Sequence, residues 1–213
     1  MKLANYRAIT GEQILKKIRG KNIIYVVLGG IACLAGIGLL ILAGTMLHND
    51  DDTFAAAGFV GLAFIVCGLF GVIKGAKVLK NVENLRIFRK FGSPDELAAR
   101  ISEGCAASFY ETSKTLVTES FIMKQGDFES YKPFEDIILI YKKEHRVNGI
   151  KDSESLVAYD KFGDSAEYPF KLGRKYAGKM EETANLIAKR APECLIGYTD
   201  DNLSYVKTHA QQL

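Results

Sequence analysis

The sequence predicts an α+β membrane protein, in which a hairpin of two transmembrane helices precedes a seven-stranded antiparallel β domain closed by a C-terminal helix. Two observations predict the hairpin. Residues 23–47 and 54–73 are uncharged apolar runs, and the segment between them, residues 48–53, is too short to form a domain. The third observation is a series of short β-branched and aromatic runs after residue 105, which predicts the β domain.

Both apolar runs are long enough to cross a bilayer, because a spanning helix needs about 20 apolar residues. The first run contains 25 residues and the second 20, and the second helix is expected to reach residue 75. A secretory signal peptide is the competing interpretation of the first run. It fits poorly, because the polar lead is long, the run exceeds the usual apolar core of a signal peptide, and a second span follows at once.

The charges beside the two runs predict the orientation of the hairpin. Residues 1–22 and 74–90 each contain six basic residues and one acid, whereas the connecting segment contains three aspartates and no basic residue. Since basic flanks stay on the cytoplasmic side, both termini are predicted inside and the acidic loop outside a cell membrane. One interpretation is that the basic flanks only determine the topology. The other is that they also bind anionic membrane lipids. The membrane-surface residues are Lys16, Lys17, Arg19, Lys21, Lys74, Lys77 and Lys80.

Small residues recur every seven positions in both apolar runs. A seven-residue spacing keeps one stripe towards one partner, and small side chains let helix backbones approach closely. With the turn centred at Asp52, the expected antiparallel register pairs positions whose numbers sum to 104. The alternative is that membrane helices simply tolerate glycine and that the spacing is chance. The predicted seam is Gly29, Gly36 and Ala43 in the first helix with Gly75, Gly68 and Gly61 in the second.

Helical segments are also predicted on either side of the hairpin. Thr10 and Gln13 match a capping box, so residues 1–22 should contain a short basic amphipathic segment before the first span. After the second span, a basic neck is expected to continue as a helix until Gly92, and a short helix should follow from Ser93 until Gly104 closes it. The predicted segments are residues 1–22, 23–80, 81–105, 106–191 and 192–213.

From about residue 106 the apolar period changes from helical to strand-like. Turn signals at Gly126-Asp127, Asn148-Gly149 and Gly163-Asp164 separate the runs, so neighbouring strands should be antiparallel. A helix from Arg174 to Lys189 is expected to cover the most apolar strand. In the tail, the sequence allows a short apolar run and a last helix that begins near Asp200, which pack either on the domain or on a partner. The seven expected strands are residues 108–112, 115–118, 121–125, 128–131, 136–143, 155–160 and 166–171.

Three stretches carry a resemblance to a known family: Leu116-Val117-Thr118-Glu119, the run from Phe134 to Tyr141, and the run from Leu156 to Gly163. With seven antiparallel strands followed by one helix, residues 106–190 resemble the bacterial pleckstrin-homology-like (PH-like) proteins in which such a domain hangs from a transmembrane hairpin. The resemblance implies no catalytic residues. Phosphoinositide-binding members carry a basic cluster between the first two strands, where this sequence has only Ser113-Lys114.

No catalytic, cofactor or metal motif is found in the sequence, so an enzyme, a cofactor and a metal ion are not predicted. His48 beside the loop aspartates is the weak alternative for a divalent cation. The four cysteines form no paired motif and are expected to be reduced. The basic residues lie at the predicted membrane surface and form no stripe of the kind that binds nucleic acid. Five tyrosines resemble a ligand-binding set but are more simply half-buried sheet residues: Tyr131, Tyr141, Tyr159, Tyr168 and Tyr176.

Two functions from different classes remain. The first is a membrane-anchored, non-catalytic module that binds a protein or peptide at the cytoplasmic face, through a sheet edge or a helix groove. The second is a small transporter or channel subunit assembled through the glycine-rich helix faces. Neither span contains an ionisable residue of the kind that marks an ion path, which favours the first. Its expected partners are membrane lipids and a protein or a second copy of the chain.

Overall fold

A computed structural model of the chain describes residues 6–48, 54–106, 109–112, 114–170 and 178–210. The chain divides into two compact units. One is Glu12–Phe88, and the other, the α+β unit, joins the segment that ends at Gly11 to Arg89–Leu213. The acidic loop residues 49–53, which carry the predicted turn centre and the possible cation site, lie outside the described residues.

The first unit contains two helices that are long and apolar enough to cross a membrane. Helix α1 is Gly11–His48 and helix α2 is Phe54–Lys80. The predicted amphipathic segment is not a separate element, because it continues into the apolar run as one helix of 38 residues. Since Asn22 and Gly20 do not interrupt the backbone ladder, the basic lead is the first part of α1.

The predicted continuous neck helix is wrong. Helix α2 ends at Lys80, a single 3-10 turn follows at Val82–Asn84, and a separate six-residue helix, α3, covers Arg86–Phe91. Leu85 is extended between the two, with φ −61° and ψ 145°, so the backbone changes direction there. Gly92 ends α3 in the left-handed region, at φ 89°, as expected of a helix stop.

Helix α4 is Pro94–Ala106 and runs two residues past the predicted stop at Gly104. Its start is a capping box: Ser93 Oγ accepts from the Glu96 amide, and the Glu96 carboxylate accepts from the Ser93 amide. Leu97, Ala98, Ile101 and Cys105 form its buried face. The remaining face is polar, so α4 is held by one apolar stripe.

The β region consists of two sheets of four strands each, and not of seven strands in one antiparallel sheet. Strands β1 to β4 form a meander, and the second sheet has the order β7-β6-β5-β8. The eighth strand was not predicted as a sheet strand, and it pairs parallel with β5 at only two positions. The strands are β1 Phe109–Thr112, β2 Thr115–Thr118, β3 Phe121–Lys124, β4 Asp127–Pro133, β5 Ile137–Val147, β6 Ile150–Asp160, β7 Ser165–Phe170 and β8 Leu195–Ile196.

The core of this unit lies between the two sheets and one helix. Helix α5, Lys179–Arg190, contributes Met180 and Ile187 to the same buried cluster as Ile137 and Ile140 of β5, and its contacts are to β6 and to the 3-10 turn at Phe134–Asp136. The predicted start of that helix falls on residues 171–177, outside the described part of the chain, as do Tyr176, the strand-end positions 108 and 171, and loop position 113. A last helix, α6, Asp200–His209, begins where the sequence allowed one, with Thr199 as its cap.

The start of the chain belongs to the same unit as the β region. Tyr6 is fully buried, and its hydroxyl accepts a hydrogen bond from the Gly126 amide at 2.7 Å. Arg7 Nε donates to the Cys105 carbonyl at 3.1 Å, and the Gly11 amide donates to Asp95 Oδ1 at 3.2 Å. The first described residues therefore close onto α4 and the β3–β4 turn.

Candidate binding cleft

The β5-β6-β7 sheet has two faces with different chemistry. Alternate residues point to opposite faces of a strand, so Ile140, Ala158 and Tyr168 enter the core. Tyr141, Val157 and Glu167 lie on the other face, where register places them side by side. This second face forms the floor of a cleft of about 460 Å³.

The cleft has an aromatic floor and charged walls. The Tyr141 and Tyr159 rings are 6.4 Å apart and inclined by 30°. Tyr198 extends the aromatic surface beyond the cleft, since its ring lies 4.9 Å from that of Tyr141 in an edge-on arrangement. The charged residues of the walls come from the β3–β4 hairpin and from strands β5 and β7: Lys124, Asp127, Glu129, Lys143 and Glu167.

A hydrogen-bonded network holds the carboxylate at one end of this face. Lys143 Nζ donates to Glu167 Oε2 at 2.8 Å, and His145 Nε2 lies 2.5 Å from Glu167 Oε1 and 3.1 Å from Ser155 Oγ. Burial raises the pKa of Glu167, but the bonds from Lys143, Ser155 and His145 outweigh it and lower the pKa to about 2. Glu167 is therefore an ionised, hydrogen-bonded carboxylate at neutral pH.

This network contains a serine, a histidine and a glutamate, but not in the geometry of a nucleophilic triad. In such a triad the two imidazole nitrogens have different partners, one the nucleophile and the other the carboxylate. Here Nε2 of His145 faces both Ser155 and Glu167. Ser155 is also only 2% exposed. The arrangement orients side chains at the cleft and does not activate the serine.

A second cleft, of about 420 Å³, lies between α4, the β2–β3 turn and the end of α5. Arg100 and Arg190 line it together with three glutamates and Tyr131. Tyr131 is 5% exposed, and its pKa is raised chiefly by burial. Because its ring packs on Phe91 and Phe121, at 5.1 and 4.9 Å, this tyrosine belongs to the core rather than to a ligand surface.

The structure therefore separates the tyrosines that the sequence groups together. Tyr131 and Tyr168 are buried, and Tyr168 donates its hydroxyl hydrogen to the Ser130 carbonyl at 2.6 Å. Tyr141 and Tyr159 are half-buried in the first cleft. Burial, with a contribution from Tyr159, raises the pKa of Tyr141. Sequence reasoning missed the charged cleft residues, although the alternation of Tyr141, Lys143 and His145 along β5 was the available signal.

A buried ion cluster near the end of α3 was also missed. Lys90 Nζ and Lys132 Nζ lie 2.8 and 2.7 Å from the same oxygen of Asp160, and all three side chains are at most 4% exposed. Lys90 also contacts Asp164 Oδ2 at 2.5 Å, and Lys132 donates to the Asp164 carbonyl. The charges of the two cations and the two carboxylates neutralise one another, so the cluster stabilises the fold and is not a reactive site.

The predicted helix-packing residues all lie at the contact between α1 and α2. A Cβ built on Gly29 would be 2.6 Å from the Gly68 carbonyl oxygen, and one on Gly36 would be 2.6 Å from that of Gly61. Gly75 faces the Asn22 carbonyl oxygen in the same way, at 2.8 Å. The two residue numbers of each facing pair sum to 97 and not to 104, so the predicted register is wrong by one seven-residue repeat. The six predicted residues are all buried: Gly29, Gly36, Ala43, Gly61, Gly68 and Gly75.

The predicted membrane-surface cations lie on the outside of the two helices. Lys17 is half-buried, and the others are exposed: Lys16, Arg19, Lys21, Lys74, Lys77 and Lys80. They lie in the first part of α1 and the last part of α2, which the antiparallel contact brings to the same end of the helix pair. One end of this unit is therefore strongly basic.

The described residues contain no group of three or more His, Cys, Asp or Glu side chains that could hold a metal ion. All four cysteines are free. Burial raises the pKa of Cys105 to about 11 against the opposing charge of Arg7, and burial also raises that of Cys194 to about 11. Both are thiols at neutral pH and behave as small apolar side chains.

Comparison of the chain with protein-family models, with curated proteins and with solved structures finds no match.

Proposed function

We propose that this protein is a membrane-anchored, non-catalytic binding module whose first cleft holds a peptide segment of a partner protein at the cytoplasmic face. The observation that carries the proposal is the cleft itself, with two tyrosine rings on its floor and charges of both signs on its walls. Aromatic floors with few placed charges are typical of ligand and peptide sites. The charged pairs around Glu167 would hold the rim in place for such a ligand.

The open edge of β5 supports a peptide as the ligand. Strand β8 pairs with β5 only at Leu139 and Ile140, and the Gly197 amide still donates to the Ile140 carbonyl at 2.9 Å. Gly197 then turns the chain away at φ 105°. A peptide strand that continues along β5 from Tyr141 would gain main-chain hydrogen bonds and place alternate side chains over the cleft.

The anchor and the fold family are parts of the same proposal. Two helices of membrane-spanning length, basic at one end, support a cytoplasmic location for both termini by the positive-inside rule. Two antiparallel meanders followed by a covering helix support the PH-like assignment. The alternative of a pore subunit would need glycine faces available for assembly, whereas Gly36 and Gly61 are buried against each other within one chain.

Selection from a peptide library on the full chain in lipid nanodiscs would test the peptide site. We expect selected peptides to lose about tenfold or more in affinity for Tyr141→Ala, because the floor of the cleft is removed, a loss of about 1.4 kcal/mol per factor of ten. Glu181→Ala, on the exposed side of α5, is the matched control. Peptides that bind both variants with unchanged affinity would contradict the proposal.

A further inference from the structure

The floor of the first cleft offers aromatic rings next to aliphatic surface. Tyr141 and Tyr159 are half-buried there, and Val157, the direct cross-strand partner of Tyr141, lines the cleft with them. The face of an aromatic ring carries partial negative charge and attracts cations. A long cationic side chain also has methylene groups that pack on apolar surface while its charge lies elsewhere. The floor therefore suits such a side chain in both its parts.

Carboxylates outnumber ammonium groups among the described residues that line the cleft. Lys143 is already matched by Glu167, to which it donates at 2.8 Å, and His145 contacts Glu167 from outside the lining. After this pair, two carboxylates face one ammonium group. The charged lining residues are Asp127, Glu129 and Glu167 on the one side and Lys124 and Lys143 on the other.

The two remaining carboxylates lie on a fixed part of the backbone. Asp127 is the first residue of β4 and Glu129 follows two positions later, so both point to the same face of that strand. Ser130 Oγ accepts from the Lys124 amide at 2.7 Å and donates to the Asp127 carbonyl at 2.6 Å, which ties the two strands of the β3–β4 hairpin together. The acids of one sheet thus line the same cleft as the tyrosines of the other.

A ligand group of negative charge fits this cleft poorly. Burial is the main reason that the pKa of Tyr141 is raised, and the charge of Glu167 raises it further, so the floor disfavours a second negative charge. An uncharged apolar side chain would bury the floor, but it would also take water from the carboxylates and give them no new partner. A cation contacts the rings and pairs with the carboxylates.

We propose that the peptide held in the first cleft carries a cationic side chain, which lies over the Tyr141 ring and pairs with Asp127 and Glu129. The inference rests on the proposed function and names the chemistry of its ligand. Arginine has the better geometry of the two basic residues, because its planar guanidinium stacks on a ring while the N–H groups at its edge donate to carboxylates.

A displayed library of random nine-residue peptides, selected on the full chain in nanodiscs of uncharged phosphatidylcholine, tests the inference. Sequencing should show enrichment of arginine or lysine at one position of the selected peptides. Synthetic peptides in which that residue is replaced by glutamine should bind about tenfold more weakly, a loss of about 1.4 kcal/mol.

Variants of the protein assign this preference to the cleft. Asp127→Asn with Glu129→Gln should remove the difference in affinity between a selected peptide and its glutamine analogue. The analogue itself should bind this variant and the unchanged protein equally, which shows that the cleft is intact. Glu181→Gln with Glu193→Gln is the matched control, since it changes the net charge by the same amount at exposed positions outside the lining and should preserve the difference.

Substitutions of the ring separate its charge distribution from its apolar surface. Tyr141→Phe keeps the ring and should preserve the preference for the cation, whereas Tyr141→Leu keeps only apolar surface and should reduce the preference several-fold.

Each other outcome has a definite meaning. Selected peptides that require Tyr141 but tolerate glutamine at every basic position would overturn the inference and leave the binding function in place. A preference that persists in the Asp127→Asn, Glu129→Gln protein, or that disappears equally in the control, would also overturn it. If no peptide is selected at all, the proposed function fails, and the inference fails with it.

Discussion

A buried charged side chain contributes most to the stability of the fold where its partners hold it in a fixed position. Asp160 holds Lys90 and Lys132 on one oxygen, while its other oxygen accepts from the amides of Phe162 and Asp164, each at 3.0 Å. Burial raises the pKa of Asp160, but the two lysines outweigh it and the pKa is lowered. The sequence did not predict this cluster, because each lysine is 28 to 74 positions away from the aspartates that it contacts and only the fold unites them.

Asp160→Asn is expected to destabilise the α+β unit by about 3–5 kcal/mol, because it leaves two buried lysines facing one remaining carboxylate. Chemical denaturation of the protein in detergent, followed by circular dichroism, measures the change. Glu144→Gln is the matched control, since Glu144 pairs with Arg146 and Lys151 in an exposed position, where solvent screens such pairs and their contribution to stability is small. Equal losses of unfolding free energy for the two substitutions would contradict a stabilising role of the buried ion cluster.

The lowered pKa of Glu167 predicts that the sheet edge formed by β7 loses stability in acid. Its pKa falls from the ordinary 4.5 to about 2 in the folded protein, so the stabilisation is complete above pH 4.5 and is lost as the pH falls towards 2. Glu167→Gln should flatten the dependence of unfolding on pH within this window. Thermal unfolding between pH 2 and 5 compares the two proteins, and parallel curves would show that the carboxylate contributes nothing.

At the scale of elements, sequence patterns located the strands better than they determined the pairing. Alternation and turn residues identified β2 without error, whereas β5 and β6 extend well past the expected ends. Their extra residues are polar or exposed, so only the cross-strand partner keeps them extended. Strand β8 has two residues, and no periodic pattern of that length exists to be read.

The glycine seam shows why the register was missed. Small residues spaced by seven remain aligned after a shift of seven, so both the sum of 104 and the sum of 97 place a small residue opposite Gly68. The expected register assumed that the turn centre fixed the pairing. In the structure α1 continues to His48, while Ala43 already lies near Gly58, close to the start of α2.

A crosslinking experiment distinguishes the two registers. Cys33 Sγ lies 3.7 Å from the Ile65 carbonyl oxygen, so Ile65→Cys should form a disulfide with the native Cys33 when the protein is oxidised in membranes. Val72→Cys, one repeat further along α2, is the control and should not. Both variants carry Cys67→Ser. Preferential crosslinking of position 72 would restore the register that the sequence predicted.

The close backbone contact makes the seam sensitive to side-chain size. A Cβ on Gly68 would be 2.6 Å from the Gly29 carbonyl oxygen, whereas one on Gly30 would meet no atom within 4 Å. Added to the Ile65→Cys variant, Gly68→Leu should therefore separate the helices and reduce the crosslink to Cys33 several-fold, while Gly30→Leu should leave it unchanged. If Gly68→Leu crosslinks as efficiently as the parent, the helices do not depend on this contact.

At the scale of the whole molecule, the α+β unit is made of two parts of the chain that are far apart in sequence. The sequence predicted a domain that begins after the hairpin, which makes a fragment starting near Ser93 the natural unit for experiments. The structure places residues from before α1, and the first residue of α1, in that unit: Tyr6 is fully buried, and Arg7 and Gly11 bond to α4 residues. No local pattern near Tyr6 indicates a partner about 120 positions away.

An isolated fragment of residues 89–213 should therefore be less stable than one in which residues 1–11 are joined to it by a short flexible linker. Tyr6 fills a site in the core and accepts from the Gly126 amide, so its loss leaves a cavity and a buried donor without its partner. Removing a large buried aromatic side chain costs about 3–5 kcal/mol. Urea denaturation of both fragments measures the difference, and Tyr6→Ala in the joined fragment should remove most of it. Equal stability of the two fragments would show that the unit folds without the start of the chain, and the cleft could then be studied in the shorter fragment.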